Sequence, residues 1–406
     1  MYKIKKRASD LYHTATTAYP CCVPALGGFG RSWLYRTCPP QKYSFWSSLQ
    51  RLDNLILLDN FVKINRMKNL LICIPLVLFL KCGSNSAPKY TLKVDTPKKQ
   101  LTVGDSINLR IALKKNQTID SVHFFWDQQP TSENIKVKNQ KLGTHLIKAV
   151  VFKDGNQTTT EKEVQLFASN PPELYTYKIL NEFPHDTEAY TQGLEFSGDK
   201  LFESTGLRGQ STLRVVDYTT GEIENKIALD KVYFGEGLTL LEDKIYQLTW
   251  QEDLAFIYAK NTLETLGSFA YQNSKEGWGL CNDGHYLYKS DGTNAIWKLD
   301  PQSGKELEKI EVMTNKSALN KLNELEWIDG KIYANTYQFN KEVAVIINPE
   351  DGTVEGVIDF SGLKEKVAQI PTLNVLNGMA FHPSRKTLFI TGKNWSKLFE
   401  VTLIKK

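Results

Sequence analysis

Two columns of residues hold the chemistry that this sequence can do. Just ahead of five short apolar runs stand Gln192, Glu236, Trp278, Asn323 and Asn377. Five places into the run that follows each of them stand Gly206, Trp250, Gly292, Tyr337 and Lys393. A lone carboxylate can take a proton from one nitrogen and return it to another. A lysine can stabilise a developing oxyanion. Amides orient a polar group, and large aromatics close around an apolar stem. Structural repeats would place like residues at like positions, and these differ, which favours a site. The structural alternative is that the amides satisfy loop backbone and the aromatics fill a tunnel mouth.

The elements that must position these residues recur along the chain. Segments begin at Gly193, Gly237, Gly279, Glu324 and Gly378, with offsets of 44, 42, 45 and 54 residues. An insertion around Ser361–Val375 lengthens the last. A second apolar run starts eight residues on in four repeats and ten in the fifth, and a third run follows. Units of this length with four strands each describe propeller blades, here five. The inner strand of a blade lines the axis, so residues just before it form a ring. The fifth unit ends near Lys406 after three strands. The apolar stretch Leu174–Leu180 can supply its outer strand and close the ring, leaving no long exposed edge. Ahead of it, residues 90–168 alternate in short runs between turn signals such as Lys153-Asp-Gly-Asn, the pattern of a small Ig-like β-sandwich that serves as spacer or docking module. His123 and Trp126 read there as packing residues. The fold class is therefore all-β, a five-bladed β-propeller over 172–406 preceded by the sandwich.

The strand starts also carry a family resemblance. Phe183-Pro-His-Asp-Thr-Glu-Ala-Tyr-Thr-Gln-Gly-Leu, Phe234-Gly-Glu-Gly-Leu, Glu276-Gly-Trp-Gly-Leu, Leu322-Asn-Glu-Leu-Glu and Leu376-Asn-Gly-Met-Ala-Phe-His-Pro are similar to the plant-type glutaminyl-peptide cyclotransferases, five-bladed propellers that also occur in bacteria. The resemblance spans roughly 172–406 and not the region before it. It implies conversion of a peptide's N-terminal glutamine to pyroglutamate with release of ammonia, without a catalytic metal. It places the active-site glutamate at Glu236 and other site positions at Gln192, Trp250, Trp278, Asn323 and Lys393, with Tyr190 and Phe234 as apolar walls. Tyr190 and Tyr337 stand where the family often shows Phe and Trp. On this reading Lys393 and Asn323 stabilise the oxyanion, Gln192 orients the amine or amide, and Trp250, Trp278 and Tyr337 hold the glutamine folded for ring closure. Asn377 joins the substrate-binding set from its place in the column.

Other motifs receive structural readings. His185-Asp186 and His382 sit beside strands, and Cys281 lies on an inner strand as core. Gly235-x-Gly237 and Gly277-x-Gly279 lack the strand-to-helix context of a nucleotide loop. Two rival classes remain: a non-catalytic propeller that binds a partner, and a sugar-processing propeller with a central metal. The second expects more axial carboxylates than Glu236 alone. The tunnel leaves room for a structural ion such as calcium.

The charge of +5 is unevenly spread. From Met67 a lysine, an apolar run Leu70–Leu80 and then Cys82 with small residues resemble a bacterial lipoprotein signal over 67–81, with Lys81 where that pattern prefers a small residue. A short buried helix is the other reading of the run. Cys82 would bear the lipid, 82–89 would be a tether, and 1–66 an upstream extension or disordered; an organelle presequence is the competing reading of that basic stretch. From Cys82 onward the chain has 38 basic and 42 acidic residues, so the surplus says nothing of nucleic acid. The expected partners are peptides or proteins with N-terminal Gln, no nucleic acid, and a membrane only through the anchor. The expectation is a monomer in the cell envelope, on the periplasmic side of a bacterium.

Overall fold

The structure, a computed structural model, describes residues 90–138 and 140–406. The extension over 1–66, the signal segment 67–81, the tether 82–89 and the lipidated Cys82 lie outside the described residues. The described chain is almost wholly β, with one short 3-10 turn at Lys364–Lys366 inside the insertion of the last repeat.

Alternation builds the first sheets. Gly143–Lys153 turns every second residue inward, and burying that face sets its register. It forms a long hairpin with Asn156–Phe167, closed by Asp154 and Gly155, both at positive φ (51° and 73°). Asp-Gly is the pair that a two-residue hairpin loop of this twist favours. This hairpin belongs to a five-stranded sheet that packs on a three-stranded one of Thr91–Asp95, Ser106–Ala112 and Asn134–Lys136. Leu109, Trp126, Ile147 and Leu166 are buried between the two sheets. His123 departs from its packing assignment: it lies on the exposed face, with its ring 5.3 Å from that of Phe152.

Four-stranded antiparallel meanders follow, spanning 191–228, 235–270, 280–311 and 322–359. In a fifth unit, Leu376–His382, Thr387–Gly392 and Lys397–Lys405 are completed by Glu173–Pro184, which pairs antiparallel from Lys397↔Pro184 to Lys405↔Tyr175. The first strand of each unit contacts the first strand of the next, and Thr191–Ser197 meets Leu376–His382. The contact is close enough to demand glycine. A Cβ on Gly237 would stand 2.6 Å from Leu280 N and 2.7 Å from Trp278 O.

The two regions are not loosely tethered. Met313, from the third unit's exit loop, is buried in the core of the first sheets. Thr144 N donates to Glu311 Oε2 (2.6 Å) and Leu142 N to Asp351 O (2.8 Å), while Lys141 pairs with Glu308. A boundary at about residue 170 is therefore a change of sheet rather than a break in packing.

Candidate active site

At the start of the inner strands the pairing register slips in four of the five units: between Thr191 and Gly193, Gly235 and Leu238, Leu322 and Leu325, and Leu376 and Met379. Such bulges leave residues unpaired with the neighbouring strand and re-aim their side chains. Gln192, Glu236, Asn323 and Asn377 lie in these slips. In the remaining unit the inner strand is only Leu280–Asn282, and Trp278 precedes it with its backbone N–H on Ser290 O (3.0 Å).

A cavity of about 190 Å³ opens there, lined by Tyr190, Gln192, Phe234, Glu236, Trp250, Trp278, Asn323, Tyr337 and Lys393. It is smaller than the pockets that take drug-sized ligands, so it suits one side chain and its backbone amine. Two of the column glycines explain its walls. A Cβ at Gly292 (φ +77°) would sit 2.6 Å from the Trp278 ring, and one at Gly206 would overlap Phe234. Both leave room for the aromatic beside them.

Asn377 is corrected by the structure. It is fully buried behind Gln192 and does not line the cavity. Its Nδ2 donates to Gln192 Oε1 (3.0 Å) and Thr191 O (2.9 Å), and its Oδ1 accepts from Asn335 Nδ2 (2.9 Å). With its oxygen so engaged, Gln192 presents Nε2 to Glu236 Oε1 at 3.2 Å. The bulge gives Asn377 the same backbone position as Glu236, but the neighbouring strand covers it.

Glu236 is buried with that single side-chain hydrogen bond. Its backbone carbonyl is pinned by Ser204 Oγ (2.5 Å), which in turn accepts from Gln247 Nε2 (2.7 Å). Burial pushes its carboxyl well above the ordinary range; Lys393 opposes the shift, and Glu276 and Glu252 add to it. Lys393 is pushed down to about 8 by burial, against the pull of Glu236. Its Nζ stands over the Tyr190 and Tyr337 rings, 4.7 and 5.1 Å from their centroids. Backbone bonds from Lys393 N to Val375 O (2.9 Å) and from Asn374 N to Lys393 O (3.1 Å) hold it there. The Tyr190 hydroxyl is pushed up to about 12, mainly by burial, and stays protonated. Asn323 Oδ1 is buried without a hydrogen-bond partner.

The aromatic wall is continuous on each side. Tyr190, Phe234 and Trp250 meet edge to face at 6.2 and 5.5 Å, and Trp278 meets Tyr337 at 5.8 Å. Trp250 Nε1 and Trp278 Nε1 both donate to Glu276 Oε2, each at 2.8 Å. Glu276 opens the motif Glu276-Gly-Trp-Gly-Leu, which by itself points to no role for its side chain. Its place between two column tryptophans was the available signal. At the rim, Arg208 lies 5.6 Å over Trp250 and donates to Glu252 Oε1 (2.5 Å).

The expectation of a lone axial carboxylate is also corrected. Glu324 and Glu326 lie buried on the inner strands, and Glu195 is half-buried on another. Glu195 accepts from Thr239 Oγ1 (2.6 Å) and Leu240 N (3.1 Å), and Glu326 accepts from Phe381 N (3.0 Å). These glutamates lie within the runs, and a sequence does not show which face of an inner strand meets the axis. Among the described residues, no group of three or more His, Cys, Asp or Glu side chains is arranged to hold a metal ion. The remaining motif residues sit in packed surroundings. His185 bonds Trp395 O (2.8 Å) and Glu203 Oε1 (3.1 Å), and Arg214 Nη1 donates to Asp186 Oδ2 (2.8 Å). His382 packs 4.6 Å from Phe196, and Cys281 is buried in the core.

An all-β ring whose cavity is lined by one buried carboxylate, one buried lysine and an aromatic box defines a propeller-like protein with a site for a single small side chain. The profile of the family described as "Glutamine cyclotransferase" matches residues 148–403, and the chain belongs to that family. A glutaminyl-peptide cyclotransferase of Arabidopsis thaliana is 41% identical over 229 residues, which cover 56% of this chain and 71% of the plant protein. The crystal structure of Myxococcus xanthus glutaminyl cyclase matches with a TM-score of 0.54 at 35% identity, covering 58% of this chain and 99% of that one. The family match begins at residue 148, inside the first region's long hairpin and earlier than the expected 172. The packing of that hairpin against Glu311 fits this earlier start.

Proposed function

We propose that the chain is a metal-independent glutaminyl-peptide cyclotransferase in which Glu236 is the general acid and base. The observation that carries the assignment of Glu236 is its burial, with one hydrogen bond, in a cavity it shares with Lys393. The neutral α-amine of an N-terminal glutamine attacks its own γ-carboxamide carbon, and a C–N bond forms. Glu236 takes the proton that the amine gives up. As the original C–N bond of the carboxamide breaks, Glu236 returns that proton to the departing nitrogen, which leaves as ammonia. A carboxyl raised above the ordinary carboxylate range suits both halves of this exchange. Lys393 stabilises the oxyanion, and Gln192 Nε2 orients the reacting nitrogen beside Glu236. Asn323 Oδ1, buried without a partner, is placed to accept an N–H of the substrate. Trp250, Trp278 and Tyr337 hold the side chain curled, and enforcing that conformer supplies a large share of the rate of an intramolecular step.

Five four-stranded units whose inner strands close a ring support the reading of a five-bladed propeller, and the two packed sheets before it that of an Ig-like sandwich docked on its third and fourth blades. The Met67–Cys82 pattern supports a lipid anchor in a bacterial cell envelope. Cys82→Ser should release the protein from membranes, and unchanged membrane retention would sink the anchor. Ammonia release from a Gln-initiated peptide, with and without a chelator, tests the activity. Turnover unaffected by chelator is expected. No turnover would favour a binding protein, and loss with chelator a metal-dependent enzyme.

A further inference from the structure

We propose that Glu276 is a positioning residue that fixes the mutual angle of Trp250 and Trp278, and thereby the curled shape in which the substrate side chain is held. The inference rests on the cyclotransferase reading and adds a residue to it. One carboxylate oxygen, Oε2, accepts both indole N–H groups at 2.8 Å, while Oε1 accepts from Gln251 Nε2 at 3.0 Å. The two tryptophans come from different units of the ring: Trp250 follows Lys244–Thr249, and Trp278 precedes Leu280–Asn282. Among the described residues, no side chain other than Glu276 hydrogen-bonds both. An indole has a single donor. Sharing one acceptor therefore ties the two rings to a common point and removes their independent rocking.

Glu276 is suited to the task because its charge and its backbone are held separately. Burial pushes its carboxyl up, but hydrogen bonds from Gln251, Trp278 and Trp250 more than offset this and keep it below the ordinary value. It is thus an anion at neutral pH, and charge-assisted acceptors are the stronger ones. Its carbonyl accepts from Lys289 Nζ (3.0 Å), and Gly277 N donates to Trp250 O (3.0 Å). The loop therefore stays anchored when the side chain changes. The same negative charge, with that of Glu252, raises Glu236, while Lys393 acts in the opposite sense.

The test uses the full protein and Gln-peptide turnover. Glu276→Ala should lower kcat/KM about 10²-fold, the scale on which small misplacements act. Glu276→Gln keeps an acceptor oxygen and should recover activity to within about tenfold of wild type. In Glu276→Gln the acidic limb of the kcat/KM profile should move to lower pH, since a like charge near Glu236 is gone. The indole ¹⁵N–¹H resonances of Trp250 and Trp278 should both shift in either variant, a readout that needs no substrate. A folded Glu276→Ala protein with wild-type kcat/KM and unmoved indole resonances overturns the inference. If Glu276→Ala does not fold, Glu276→Gln decides through its pH limb: an unmoved limb with unmoved resonances overturns it equally. Loss of all turnover in the wild type would instead overturn the activity reading.

Discussion

Two buried lysines stand close to the cavity, and both are pushed down to about 8 by burial, yet their surroundings are opposite in kind. Lys289 is satisfied. Its Nζ donates to Ser274 Oγ and to Glu276 O (3.0 Å), lies 4.0 Å from Glu306 and rests 4.0 Å over the Tyr271 ring. Glu306 in turn accepts from Asn273 N (2.6 Å) and Ser274 Oγ (2.5 Å), and its carboxyl stays below the ordinary value because those bonds outweigh burial. Lys393 has two ring faces and the field of Glu236, and Glu236 has one amide bond at 3.2 Å. The difference separates scaffold from site. Evenly satisfied charges hold loops together, whereas charges left short of partners are ready to exchange protons with a ligand.

The comparison breaks most readily at Glu236. Glu236→Gln should reduce turnover about 10³-fold while leaving the protein folded, as read by ammonia release and circular dichroism. Near-wild-type turnover in that variant would remove Glu236 from the chemistry. Lys393→Ala should lower kcat about 10²-fold and KM less, because an oxyanion partner acts mainly in the transition state. In the same variant the acidic limb of the rate profile should move to higher pH, since the charge opposing the Glu236 shift is gone. A pure KM effect would make Lys393 a binding residue.

Lys289→Ala should do the reverse. It strands the Glu276 carbonyl and the Ser274 hydroxyl, leaves Glu306 without its cation and opens a cavity, for a loss of about 3 kcal/mol in chemical denaturation. A folded Lys289→Ala protein of wild-type stability would erase the contrast. The smallest effect sharpens it. Glu236 is raised in the fold, so the native state binds its proton more tightly than the unfolded chain does. That contribution is fully present below the ordinary carboxylate pKa and is lost as pH rises through the raised one. Glu236→Gln and wild type should therefore melt alike near pH 4 and diverge above it, with the variant the more stable at pH 8. Parallel melting curves across that range would show that Glu236 carries no such strain.

Much of the site was legible because the fold repeats. A bulge at the start of four of the five inner strands falls at a recurring sequence position, so the first column leads to Gln192, Glu236 and Asn323, and the second to Trp250, Tyr337 and Lys393. The reading misplaced Asn377, which shares the backbone position but is covered by a neighbouring strand. It passed over Glu276, whose partners are indoles from two different units. It also missed Glu195, Glu324 and Glu326, because an alternating strand shows two faces and not which of them meets the axis.

Periodicity, glycine at close approaches and Asp-Gly at the hairpin loop are local, so strand positions, the repeat and the residue types of the pocket can be read along the chain. Docking of the first sheets through Met313 and Glu311, the amide relay behind Gln192 and the shared acceptor of two tryptophans arise only when the strands are packed in space. Each of these joins residues far apart in the chain or in different units. Their pairing follows from how the sheets close on one another, which no local pattern specifies.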